Sequence, residues 1–188
     1  MTALLSLPPQ ATAATDSSAD SACLHSPYRL QIAAFYRHKM PLQELTGTSW
    51  GATDACGIAL RFPSGLPHLS VQLQADIAAL SRAEEPSPDI ALVELDLLAV
   101  WTGSLPSDVF GLDVGGGLTS AMIFVGSTTL TRHLFAMSES EFGFQAVLQP
   151  FVRVRRWRVG VPVSFVWILS APHRFAHVDA GVSTAWEF

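Results

Sequence analysis

Between Leu69 and Asp76 apolar and polar side chains alternate without a break. Leu69, Val71, Leu73 and Ala75 fall on one parity; Ser70, Gln72, Gln74 and Asp76 fall on the other. A period of two is the signature of a strand with unlike faces. Such a strand is half-buried, and the alternation does not say which face is inward. The run "IALVELDLLAVWTGS", residues 90–104, sets Leu92, Glu94 and Asp96 against Ala91, Val93, Leu95 and Leu97, and the strand is expected to continue through Val100 and Trp101. Further strands are predicted at "GIALRFP", ending at Pro63, and at "TSAMIFVGS", "FQAVLQPFVRV", "VGVPVSFVWILSAP" and the closing "VSTAWEF". Glycine, proline and small polar residues mark "TGTSWGATDACG", "SRAEEPSPD", "LPSDVFGLDVGGGL", "SESEFG" and "HRFAHVDAG" as connections.

The stretch "SPYRLQIAAFYRHKMPLQEL" fits a short helix or a strand, and Pro41 ends it either way. No helical stripe follows residue 66, and no repeat of 20–50 residues occurs. Short strands separated by frequent turn signals indicate an all-β sandwich or barrel. The organisation expected is a flexible arm at 1–26, a partly ordered N-terminal extension at 27–66 and a β-sandwich domain at 67–188.

Composition sharpens this picture. Of 188 residues, 49% are apolar and only 14% charged, against a usual charged share of about 25%. So little charge cannot cover a soluble monomer. Burial against other copies is therefore expected. The net charge of −5 is unevenly spread: residues 67–150 hold ten acids and two bases, and residues 151–188 hold five bases and two acids. A dedicated DNA-binding domain would be basic throughout. The longest apolar run, Val159 to Ala171, has 13 residues and contains Pro162. A membrane-spanning helix needs about 20, so a membrane anchor is set aside. The opening "MTALLSLPPQ" lacks a positive start, and its apolar run is too short for a signal peptide.

Candidate chemistry is sparse. Arg153, Arg155, Arg156 and Arg158 form a basic cluster for phosphate contact or ion pairing, with a bulge or tight turn between Arg155 and Arg156. His173 and His177 stand four apart but lack a third ligand and a zinc motif. Cys23 and Cys56 have no metal spacing. "GLDVGGGLTS" lacks the lysine of a phosphate loop and is taken as a sheet connection. Glu94 and Asp96 are paired carboxylates without other acid–base partners. Trp101, Trp157, Trp167 and Trp186 are assigned to packing or interfaces. Trp186→Ala is expected to cost about 3–5 kcal/mol, more than loss of any histidine. No catalytic residue, metal site or cofactor is assigned.

The stretches "LSVQLQADIAAL", "ALVELDLLAVWTGSLP", "SAMIFVGS", "VSFVWILSAP" and "VSTAWEF", following an Ala/Ser/Thr/Pro arm, resemble in length, tone and order the strands of single jelly-roll coat proteins of small icosahedral viruses, most of all the tymovirus-like ones. The resemblance implies a jelly-roll-like antiparallel β-sandwich that self-assembles into a large homo-oligomer, a capsid enclosing RNA. Its place would be the virion, or otherwise the cytoplasm, with no membrane. The competing expectation is a β-sandwich adaptor or chaperone-like module whose acidic central segment holds a basic partner.

Overall fold

In a computed structural model of the chain, residues 29–42, 51–80, 90–105, 108–125, 137–169 and 175–188 are described. Among them nine strands form one sheet: β1 (Gln31–Pro41), β2 (Thr53–Pro63), β3 (Leu69–Leu80), β4 (Ile90–Ser104), β5 (Phe110–Val125), β6 (Met137–Val154), β7 (Trp157–Gly160), β8 (Val163–Ile168) and β9 (Phe175–Glu187). Each strand pairs antiparallel with the next as far as β7. β7 and β8 both lie between β6 and β9, joined by Val161 and Pro162, so they fill a single position in the wall. β9 then pairs with β1 from Gln31↔Glu187 to Pro41↔His177 and closes the sheet. The result is a closed eight-stranded antiparallel β-barrel, not the two-sheet jelly-roll sandwich expected. Closure leaves no sheet edge with unpaired backbone groups.

Strands β3 and β4 lie where the alternation places them. The undecided stretch before Pro41 is strand β1, in the wall between β2 and β9. Three predicted connections are strand instead. "LDVGGGL" lies inside β5, "SESEFG" lies in β6, and "FAHVDAG" opens β9. The glycines have a packing reason: a Cβ on Gly117 would sit 1.9 Å from the Leu97 carbonyl oxygen on the neighbouring strand. Only a residue without a side chain lets the backbones approach this closely.

The wall is polar inside and apolar outside, a choice the alternation leaves open. Ser70, Gln72, Gln74 and Asp76 are buried, whereas Leu73 and Leu95 are each 46% exposed. The same holds around the wall. Ile32, Ile58, Leu97, Leu118, Phe142, Val159 and Val182 face outward, and Arg37, Lys39, Arg61, Glu94, Asp113, Arg158 and Asp179 face the interior. An eight-stranded barrel has an interior just wide enough to be filled by side chains, and here those side chains are largely polar. One apolar cluster of Ala55, Ala78, Leu92, Ala121, Val166 and Ile168 crosses the interior, and a smaller one joins Leu98, Val100 and Val147.

Connections 64–68, 105–109 and 155–156 lie at the barrel end that also carries Leu30 and Phe188. Pro41, Leu80, Val125 and Ile168, at which β1, β3, β5 and β8 end, lie at the other end.

Candidate functional site: the barrel interior and its outer wall

The interior holds two ionic layers built from strands far apart in sequence. Nearer the Pro41 end of the barrel, Lys39 of β1 is the hub. Its Nζ lies 3.1 Å from Asp76 Oδ1 and 3.5 Å from Asp179 Oδ2, and it donates to Glu94 Oε2. His177 stands between two acids, with Nε2 2.9 Å from Glu94 and Nδ1 2.5 Å from Asp179. Arg37 donates to Gln74 at 2.8 Å, and Gln74 in turn donates to Asp96 at 2.6 Å. The Arg37 guanidinium also lies 4.2 Å from the centre of the Phe35 ring.

Nearer the short turns the charges exchange roles, and Asp113 of β5 is the hub. It accepts from Arg61 and Thr102, each at 2.7 Å, and from Arg158. Arg61 also donates to Gln72 at 2.7 and 3.0 Å. The Arg158 guanidinium stacks 3.4 Å over the Phe151 ring. Glu187 accepts from Gln31 at 3.0 Å and from Arg153 at 3.2 Å. A buried charge is tolerated only when paired and hydrogen-bonded, and both hubs meet that condition.

The layers leave little room. Two cavities border them, one lined by Arg29, Gln31, Arg61, Thr102, Arg153 and Arg158, the other by Arg37, Gln72, Gln74 and Gln149 among others. Each has a volume of about 20 Å³, space for about one water. Among the described residues no group of three or more His, Cys, Asp or Glu could hold a metal ion.

The residues singled out from sequence are dispersed by this arrangement. Arg153 and Arg158 face each other across the β6–β7 hairpin and bind Glu187 and Asp113. Arg155 and Arg156 form the turn itself and are exposed. Glu94 and Asp96 share the interior face, on the parity the alternation assigned. His177 is buried between two carboxylates; His173 lies outside the described residues, as do Cys23 and the expected arm at 1–26. Cys56 is a free thiol on the outer wall. Trp101, Trp157 and Trp167 are exposed on the outer wall, and Trp157 meets Trp186 edge-to-face with ring centres 4.9 Å apart. Sequence reasoning missed Arg37, Lys39, Arg61, Asp76, Asp113 and Asp179 as a group. Parity signals only Asp76, on the polar side of β3; Arg37, Lys39, Arg61 and Asp113 share their parities with alanine, phenylalanine or glycine.

A closed wall with charged residues inside and aliphatic and aromatic residues outside has the polarity that a β-barrel in a bilayer requires. Comparison with solved structures gives the same fold. Neisserial surface protein A matches with a TM-score of 0.62 at 13% identity, over 87% of this chain and 98% of that one. The outer membrane protein OprG of Pseudomonas aeruginosa matches at 0.60 and 12%, over 86% and 96%. The N-terminal β-barrel domain of Pseudomonas aeruginosa OprF matches at 0.52 and 12%, over 86% and 99%. No family model matches the chain, and no curated protein is similar to it in sequence.

These findings overturn the coat-protein reading. The structural neighbours are outer-membrane barrels, not viral jelly rolls, so the capsid function, the large RNA-enclosing homo-oligomer and the virion or cytoplasmic location fall with it. The exclusion of a membrane fails for a physical reason. The length test applied was that of a helix, and among the described residues no helix is long and apolar enough to cross a bilayer. A strand crosses in about 9–11 residues, and β1 to β6 and β9 have 11 to 18. The adaptor reading gains nothing either. It needs the central acids on the surface, and Asp76, Glu94, Asp96 and Asp113 are inside the barrel.

Proposed function

We propose that the protein is an integral outer-membrane β-barrel with a packed interior, a non-catalytic scaffold that holds its longer connections on one side of the bilayer. The observation that carries this reading is the reversed polarity of a closed wall. In water, an outward face of Ile32, Ile58, Leu73, Leu95, Leu97, Leu118 and Phe142 would be an unshielded apolar belt. In a bilayer the same belt is the solvated surface. Backbone polarity agrees, because only helices and closed barrels satisfy every backbone group within lipid. Barrels of this type have short periplasmic turns and longer extracellular loops. The barrel end with turns 64–68 and 155–156 therefore faces the periplasm, and the end at which β1, β3, β5 and β8 finish faces outward.

The ionic layers support a scaffold over an open pore. Lys39, Arg37 and His177 with four carboxylates fill one level, and Arg61, Arg158 and Asp113 fill another. The test has two readouts. Refolded protein should co-float with phospholipid vesicles and stay with them through alkaline and urea washes. In planar bilayers it should give no stable conductance steps. A monodisperse, detergent-free soluble monomer would overturn the membrane reading, and uniform large steps would overturn the packed scaffold.

A further inference from the structure

The arginine cluster divides by its partners. Arg153 and Arg158 are consumed by Glu187 and Asp113. Arg155 and Arg156 remain at the tip of the two-residue β6–β7 turn, exposed, with Val154 pairing with Trp157 directly beneath them. Arg155 has a φ of 58°, and His68 (63°) and Asp108 (52°) do the same in the other two short turns, so the backbone is strained at each of them. What sets this tip apart is its pair of cations and the groups it stands on, which are aromatic. Trp157 is 53% exposed on the outer wall and packs edge-to-face on Trp186, with Phe110 and Phe188 exposed at the same barrel end. Tryptophans concentrate where hydrocarbon meets headgroups. Two cations one step beyond such a pair lie at the depth of lipid phosphates.

We propose that the Arg155–Arg156 turn is a docking point for anionic phospholipid headgroups of the leaflet at the short-turn end, with Trp157 and Trp186 fixing its depth. The chemistry is complementary: guanidinium groups bind phosphate oxygens bidentately, and basic residues next to a membrane are drawn to anionic lipid. This inference rests on the membrane reading above.

The experiment is urea unfolding of the full chain in vesicles of phosphatidylcholine alone and of phosphatidylcholine mixed with phosphatidylglycerol. The readout is how far the folding equilibrium constant changes when the anionic lipid is added. Replacing both residues, Arg155→Gln with Arg156→Gln, should lower that anionic preference by about five-fold per arginine, and high salt should shrink the difference. Arg155→Gly should raise the constant in the zwitterionic vesicles, where it only relieves the turn, and lower it in the anionic ones. A double variant that keeps the full wild-type preference, or loses stability equally in both vesicles, would overturn the headgroup site while leaving the barrel in the membrane. An acidic soluble partner as the true target would show itself by that same unchanged preference. Failure of the wild type to fold into either vesicle would remove the membrane reading and this inference with it.

Discussion

The two ionic layers solve one problem with opposite signs. Toward the Pro41 end a single ammonium, Lys39, is shared by Asp76, Glu94 and Asp179. Toward the short turns a single carboxylate, Asp113, is shared by Arg61 and Arg158. In each layer, one central side chain neutralises partners contributed by several different strands. The upper hub joins β1 to β3, β4 and β9; the lower hub joins β5 to β2 and β7. The strands that meet at each hub include ones that are not neighbours in the wall, so the hubs cross-brace the barrel through its interior. What differs is the support. The lower arginines are backed by Gln72 and the Phe151 ring; of the upper acids, Glu94 and Asp179 are backed by His177, while Asp76 has a second cation, Arg37, only at 4.0 Å.

That difference orders the expected effects. The largest belongs to Lys39→Met, which removes the cation shared by three buried carboxylates and leaves Asp76 with none closer than Arg37 at 4.0 Å. Breaking a buried pair from one side costs about 3–5 kcal/mol, and Lys39→Met should sit at the top of that range in urea titrations of the membrane-folded protein. Asp113→Asn comes next, nearer the bottom of the range, because Gln72 and Phe151 continue to hold the arginines. If the two variants are equally stable, or their order is reversed, the contrast between the layers is wrong. Combining Lys39→Met with Glu94→Gln should cost less than the two single changes together, with a coupling of about 0.5–3 kcal/mol. Strict additivity would show that the Lys39–Glu94 contact carries no weight of its own.

The outer wall gives the next comparison. Leu73→Arg should destabilise by about 2–4 kcal/mol if this position faces hydrocarbon, whereas an exposed position in water tolerates such a change within about 0.5 kcal/mol. Measuring the variant in vesicles separates these outcomes. The smallest effect is expected for Trp157→Ala, about 1 kcal/mol, because the edge-to-face pair with Trp186 is worth roughly 0.5–1.5 kcal/mol beyond its area. This reverses the order expected from sequence, where loss of Trp186 outranked loss of any histidine. His177 is fully enclosed between Glu94 and Asp179, so His177→Ala should now exceed Trp186→Ala.

Much of the wall is legible in the sequence. β4 begins where predicted and runs to Ser104, three residues beyond the expected end at Trp101, and β3 begins and ends within one residue of the predicted segment. The paired parity of Glu94 and Asp96 is also correct. The strands missed are those whose pattern is interrupted. The glycines of β5 imitate a loop because glycine serves turns and close backbone approaches alike, and only the 1.9 Å approach to Leu97 identifies which is meant. "SESEFG" and "HRFAHVDAG" contain turn-forming residues that inter-strand pairing overrides. The scarcity of charge, 14% of residues, pointed to a covered apolar surface; on the proposed membrane reading, lipid rather than other copies of the chain covers that wall.

The sequence by itself determined that these segments are strands and which residues share a face, because side chains alternate with period two whatever surrounds them. It could not determine which face is inside, since an alternating pattern is unchanged when the two sides are exchanged. The tertiary structure decided that. Only when β1 meets β9 does the polar side become an interior, and only then do Lys39 and Glu94, 55 positions apart, or His177 and Glu94, 83 apart, come within bonding distance. Burying those charges is tolerable because closure supplies each with its counter-charge, and that supply depends on chain-distant strands which no local pattern records.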